Sequence, residues 1–371
     1  MTSIGNSSTS YTSSYASIIA QAQARAQAAA TGSSGSSASG SSSATTITLS
    51  DAARAALASK DLTAVLAEVR DKFDALLAKA KLTSPLEGDK LAVDLSDLDR
   101  RELFAVAGNL GQGFTAEEQT AARIELQNRF DQALAGPTSV GRVTGKLDGL
   151  YTAALAWYDG AGPEEKASAG YADAKKAIEQ MIAALRTDPS TQPGTYAADP
   201  VNDYMQRLAA GETGELRAIA DVGADARATL NAQYAAGGTT PDYAEFDSRS
   251  LAAVAINTGD AFSDAEVRAA RSEMRSRTGA AVLAALKSSD AATNPAGFAE
   301  NVISLFGAMS SEERAAAGWS DNLYAAAVAS YQSASKLTSL LGATTGISMW
   351  GSDSASESSG SGDKMSLMSY M

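Results

Sequence analysis

The chain runs to 371 residues with only 8 prolines; 44% of it is hydrophobic but just 6% is aromatic, because alanine supplies much of the apolar content. That length exceeds one small module, and alanine abundance with scarce proline points to an all-α chain. A formal net charge of −13 argues against nucleic-acid and anionic-membrane partners, and the lack of cysteine and histidine excludes disulfides, thiol nucleophiles, zinc sites built from those residues and every histidine-based triad.

In chain order, residues 1–46 read as a disordered leader. Residues 1–50 contain a single charged residue, Arg25. Ser14–Ala30 (SYASIIAQAQARAQAAA) is expected to form an alanine–glutamine helix anchored by Ile18 and Ile19, and Thr31–Thr46 is a Ser/Gly linker by composition. Neither a charged start nor a continuous apolar core of a secretory signal is present, and no run of eighteen apolar residues would span a bilayer.

A first helical domain is expected over residues 47–190. Leu62, Val65, Leu66, Val69, Phe73, Leu76 and Leu77 recur at the three-and-four spacing of one buried helix face. Leu147, Leu150, Tyr151, Ala154, Leu155 and Tyr158 make a second stripe. A third comprises Tyr171, Ala174, Ile178, Met181, Ile182 and Leu185; it follows Pro163, which fits the first turn of a helix. The stretch Thr187–Pro200 reads as a joint, residues 198–341 as a second helical domain, and residues 342–371 as a disordered Ser/Met-rich tail. Met349, Trp350, Met365, Met368, Tyr370 and Met371 punctuate that tail. They suit either docking in a partner's groove or folding back of Trp350 onto the second domain.

The two domains are expected to be duplicates. At an offset of 148, Leu98–Leu126 and Phe246–Met274 are identical at 14 of 29 positions without a gap. The same offset aligns Glu164–Asp173 with Glu312–Asp321 at 6 of 10 positions. Upstream, the segment starting at Ala67 resembles that starting at Ala220 if a gap of five is opened. A period this long is a domain, not a solenoid unit.

Within the repeated stretch, Asn109 and Gly111, like Asn257 and Gly259, tolerate left-handed backbone and so end a helix. Thr115 with Glu118, and Ser263 with Glu266, have the spacing of capping boxes that start the next one. Phe262 is placed to staple onto Val267. Gln119 stands where the first copy would need the apolar partner, so Phe114 is expected to turn into the core. The corners lack the acidic ligands of a calcium loop, and their acidic flanks disfavour a DNA-reading helix–turn–helix.

Glu164/Glu165 and Glu312/Glu313 are the carboxylate pairs most suited to acid–base chemistry, but first-turn acids are explained by the helix dipole. Arg123, Glu125, Arg271 and Glu273 read as a solvated face with local ion pairs. Neither a phosphate loop nor a dinucleotide fingerprint occurs. No catalytic, cofactor-binding or metal-binding residue is therefore assigned, and no cofactor is expected.

The uncharged, Ser/Thr-rich start (MTSIGNSSTSYTSSYAS), the missing cysteine and histidine, and the segment ITLSDAARAALA (Ile47–Ala58) together resemble exported and accessory proteins of the bacterial flagellar type III export apparatus. The paired flanking helices by which flagellins and hook proteins assemble are not evident, which argues against a filament subunit. The resemblance implies a non-enzymatic interaction protein, exported to the flagellum or cell surface without a classical signal peptide. Its expected partners are other proteins, met through helical surfaces and the tails. A cytoplasmic helical scaffold or regulator is the alternative, and a carboxylate-dependent hydrolase using Glu165 and Glu313 is a third.

Overall fold

A computed structural model describes residues 61–213, 217–289 and 294–344. The expectations for the leader, for residues 47–60 and for the tail beyond Thr344 lie outside these residues. Thirteen α-helices make up about 71% of what is described. In chain order they are α1 (Leu62–Ala80), α2 (Arg100–Ala107), α3 (Ala116–Thr144), α4 (Asp148–Asp159), α5 (Pro163–Lys166), α6 (Tyr171–Thr187) and α7 (Pro200–Ala210). Then come α8 (Ile219–Ala235), α9 (Ser248–Ala255), α10 (Asp264–Ser289), α11 (Pro295–Ala308), α12 (Ser311–Ala317) and α13 (Asp321–Thr344). Between α1 and α2, β1 (Leu86–Glu87) pairs antiparallel with β2 (Lys90–Leu91), with Leu86 opposite Leu91. The all-α expectation holds. This two-residue ladder is too short to show as alternation in the sequence.

The apolar stripes bury as their spacing requires. Val65, Val69 and Phe73 of α1 are buried, and Val69 and Phe73 join Leu98, Leu103, Val106, Phe114, Ala121 and Ala122 in one core. Leu150, Tyr151 and Ala154 of α4 meet Ile178, Met181 and Leu185 of α6 in a second. A third core gathers Leu230, Tyr243, Phe246, Leu251, Val254, Phe262, Val267 and Met274 from α8, α9, α10 and the loops on either side of α9. Each fully buried large side chain contributes about 1.5–3 kcal/mol of burial energy, so these three clusters dominate the favourable side of folding.

Pro163 opens a helix as expected, the four-residue α5, and α6 starts after Gly170, whose φ of 86° breaks the chain direction. Two expectations need correction. The joint near Thr187–Pro200 does not part the domains cleanly. Val201 and Tyr204 of α7, assigned to the second domain by composition, are buried in the second core among Leu134, Tyr151 and Met181. The N-cap of α7 fixes it there: Asp199 is only 3% exposed and accepts from Tyr151 Oη at 2.6 Å, from the Val201 amide at 3.0 Å and from the Gly194 amide at 3.1 Å. Finally, α13 continues to Thr344, past the boundary expected at residue 341.

The long helix α3 spans about 43 Å at 1.5 Å per residue, and joins the two halves. Its C-terminal part crosses α11 at small residues. A methyl added at Gly136 would lie 2.7 Å from the Ser304 carbonyl oxygen, and one at Gly307 would lie 2.5 Å from Ser139 Cβ. Val140 of α3, Val302 and Ile303 of α11 and Ala327 of α13 form a further buried cluster at this seam. The halves therefore touch through a close helix crossing, and glycine is what permits the approach.

Candidate functional site

The repeated corner is the most elaborated local structure in the sequence, so its side chains bear first on function. In the first copy, Asn109 takes a left-handed conformation with φ 47°, and its Oδ1 accepts from the Phe114 amide at 3.0 Å. In the second, Asn257 has φ 56° and accepts from the Phe262 amide at 2.9 Å. Asparagine serves twice here, tolerating the backbone and bridging the turn. Gly259 is left-handed as expected, with φ 67°. Gly111 is not; Gln112 takes the positive φ instead, and a methyl at Gly111 would meet Leu66 Cδ1 at 3.0 Å, so close packing explains this glycine.

Both capping boxes form. The Glu118 amide donates to Thr115 Oγ1 at 3.2 Å while the Thr115 amide donates to Glu118 Oε2 at 2.8 Å. Ser263 and Glu266 repeat this, with the Ser263 amide 2.7 Å from Glu266 Oε2. Phe262 shares a core with Val267, while Gln119 instead donates to the Phe114 carbonyl at 2.9 Å and Phe114 is buried.

Each cap glutamate also holds an arginine from the preceding long helix. Arg70 donates to both oxygens of Glu118 at 2.8 and 2.9 Å, and Arg227 reaches Glu266 at 2.9 Å. Their guanidinium carbons sit 5.2 Å from the Phe114 ring centre and 5.5 Å from that of Phe262. Burial pushes the Glu118 carboxyl up, but the Arg70 and Thr115 hydrogen bonds outweigh it, leaving its pKa below the ordinary value; Glu266 behaves alike through Ser263, Tyr234 and Arg227. The pairing of Arg70 with Arg227 sets α1 against α8 at an offset of 157. The gap is therefore nine residues, not the five expected from the Ala67 and Ala220 segments.

The four residues read as a solvated face with local ion pairs are so in part: Arg123 and Arg271 are exposed, and Glu125 and Glu273 pair with arginines one turn on. Arg123 Nε approaches the Ala107 carbonyl at 3.4 Å and Arg271 Nε that of Ala255 at 2.8 Å, so both cap the end of the preceding helix. Glu125 and Glu273 each orient an arginine one turn on. Arg129 Nε donates to Glu125 at 2.7 Å while its Nη atoms donate to the Leu98 and Leu95 carbonyls at 2.8 and 2.9 Å. Arg277 repeats the set on Glu273, Phe246 and Tyr243 at 2.7, 2.7 and 2.5 Å. Burial raises the Glu125 pKa, against the pull of Arg129. Arg129 and Arg277 obey the offset of 148 and lie just past the aligned stretch, so extending it by three positions would have found them.

The carboxylate pairs are engaged in the same manner. Arg101 donates to Glu164 at 2.8 and 2.5 Å, and Arg100 donates to Glu165 while its guanidinium lies 4.0 Å from the Trp157 ring centre. Arg249 approaches Glu312 at 3.5 Å, and Glu313, 6% exposed, closes a capping box with Ser310. The Arg101 hydrogen bond lowers the Glu164 pKa, whereas burial raises that of Glu313. Each of these four carboxylates thus has an arginine or a helix cap as its partner, and the nearby Asp247 carboxylate adds to the rise at Glu313. A shallow, open depression lies beside the second corner, lined by Pro241, Tyr243, Ala269, Ser272 and Glu273. Among the described residues no group of three or more acidic side chains is arranged to hold a metal ion, and no helix is long and apolar enough to cross a membrane.

Besides Asp199, sequence reasoning missed the buried charges Glu102 and Asp131. Glu102 caps α2 with Asp99 and takes Lys72 at 2.6 Å, its pKa raised by burial; Asp131 takes Arg207 at 2.7 Å. Neither has a charged counterpart at the offset of 148, where Ser250 and Gly279 stand, so the repeat gave no cue. Comparison of the chain with protein-family models, curated proteins and solved structures finds no match.

Proposed function

We propose that this is a non-enzymatic bacterial structural or interaction protein whose duplicated helical halves present surfaces to partner proteins, and that it is exported and associated with the flagellum or cell surface. One observation carries the non-enzymatic part: residues recurring at equivalent positions of the two halves are engaged in equivalent folding contacts. Arg129 and Arg277 each clamp two carbonyls of the loop before a short helix, and Glu118 and Glu266 each cap a long helix while holding an arginine. Side chains kept for chemistry would instead converge on a shared cleft. The almost uncharged first 50 residues support export.

Secretion of the full chain and of a variant lacking residues 1–46 tests the export part. Release of the full chain with retention of the shortened one is the expected result; equal retention of both defeats it. Capture of partners by the full chain from native cells tests the rest. Co-purification with surface or export components is expected, and recovery of cytoplasmic proteins alone would favour a scaffold inside the cell.

A further inference from the structure

The crossing of α3 and α11 joins unlike surfaces of the two halves. α3 brings Ala135, Gly136, Ser139 and Val140 to it, and α11 brings Ile303, Ser304 and Gly307. The offset of 148 holds on both sides of this stretch, so α3 corresponds to α10 and α11 to α4. Each half therefore carries its own version of both surfaces, and the chain pairs one from each. Two surfaces are left over. On α10, Leu283, Ala284 and Lys287 match Ala135, Gly136 and Ser139. Leu283 is 56% exposed, Ala284 is half-buried and Lys287 is exposed. On α4, Leu155, Ala156 and Asp159 match Ile303, Ser304 and Gly307. Leu155 is half-buried and Ala156 and Asp159 are exposed, whereas Ile303 and Ser304 are buried. These positions share one side of each helix by the 3.6-residue period.

We propose that the open strip on α10 binds the open face of α4 on a second copy of this chain, repeating between chains the contact that α3 and α11 make within one. Size and charge both fit. Ala284 would meet Ala156 where Gly136 meets Ser304, so the crossing point again holds only small residues. Lys287 would meet Asp159 where Ser139 meets Gly307, which places opposite charges together. The Asp159 side chain is 53% exposed; its Oδ1 accepts from Lys175 at 2.6 Å, and a carboxylate has a second oxygen for another cation. Leu283 stands in place of Ala135, so this crossing is wider than the internal one and buries more side chain, with Leu155 adding apolar area from the other copy. Because the two surfaces differ, association is head to tail. A chain that has bound one copy through α10 still offers its α4, and copies add in an open row. The proposal does not depend on whether the protein is exported.

Sedimentation velocity of the full chain tests this, from micromolar to a few hundred micromolar protein in about 0.15 M salt, which screens the like net charges. The mean mass of the parent should rise with concentration. Leu283→Asp on α10 and Ala156→Arg on α4 should each weaken association at least tenfold, with helicity by circular dichroism unchanged because both side chains are exposed. Lys287→Glu, on the same strip as Leu283, should weaken it severalfold. The decisive sample mixes the first two variants. Leu283→Asp keeps an intact α4 and Ala156→Arg an intact α10, so together they should form a one-to-one complex of parental affinity that grows no further. A parent that stays monomeric throughout would overturn the proposal. So would Ala156→Arg associating as the parent does, which marks a symmetric contact, or a mixture that forms no complex.

Discussion

The crossing of α3 and α11 makes a prediction in which one substitution has opposite signs at two sites. Gly136→Ala and Gly279→Ala both place alanine inside a long helix, where alanine is favoured over glycine by about 1 kcal/mol. At Gly279 nothing lies within 4 Å of the added methyl, so the full gain is expected. At Gly136 the methyl would lie 2.7 Å from both the Ser304 carbonyl oxygen and its Oγ, and the carbonyl cannot rotate aside. Overpacking of this kind costs about 1–3 kcal/mol, and separating the helices also uncovers Val140, Val302 and Ile303. The net loss at Gly136 is therefore about 1–2 kcal/mol. For a folded body of roughly 280 residues, an unfolding entropy near 0.6 kcal/mol/K converts this into a Tm lower by about 2–4 °C, against a rise of about 1–2 °C for Gly279→Ala. Thermal melts followed by circular dichroism read both. A Tm raised by Gly136→Ala as much as by Gly279→Ala would mean that α3 and α11 do not meet there.

The charged and polar corner residues yield further tests. Glu118→Gln should cost about 1–2 kcal/mol in urea unfolding at pH 7, since Arg70 keeps a neutral acceptor but loses its ion pair, with solvent access at Arg70 limiting the effect. Because the folded-state pKa of Glu118 is lowered, its contribution is complete above the unfolded pKa and is lost as pH falls through the folded value. The difference between Glu118→Gln and the parent should accordingly shrink as pH falls through the folded-state pKa of Glu118; a constant difference across the acid range would separate the ion pair from stability. Asn109→Ala and Asn257→Ala should each cost about 1–3 kcal/mol, from left-handed strain plus the lost Phe amide acceptor, with Asn→Gly recovering the strain portion. Denaturant midpoints measure this, and glycine variants no better than alanine would refute the backbone argument.

Much of this architecture was legible because local rules are short-ranged. The Phe73, Leu150 and Ile178 stripes announce their helices through period, and Thr115/Glu118 and Ser263/Glu266 announce helix starts through cap chemistry. Other features depend on distant partners that local pattern does not encode. Glu125 looks solvated on a helix projection, yet it is half-buried and orients Arg129, which reaches the loop carbonyls of Leu95 and Leu98. Tyr204 and Val201 belong to the first half because Asp199 ties α7 to Tyr151, a contact across 48 positions. Gly136 and Gly307 reveal a crossing only when the opposite helix is known. The register of α1 against α8 was likewise hidden: too few identities survive there, and it is set by the Arg70 and Arg227 ion pairs and by buried Val65, Val69 and Phe73 matching Val222, Ala226 and Leu230.

The claim beneath all of this is that residues shared by the two halves do the same structural work twice. Urea unfolding of Arg129→Met and Arg277→Met tests it most directly, since each removes an arginine from two backbone carbonyls and a glutamate. Matched losses of about 2–4 kcal/mol, with partner capture by the folded protein unchanged, are predicted. A variant that keeps full stability while losing partner capture would contradict the claim, because that arginine would then serve recognition and not the fold.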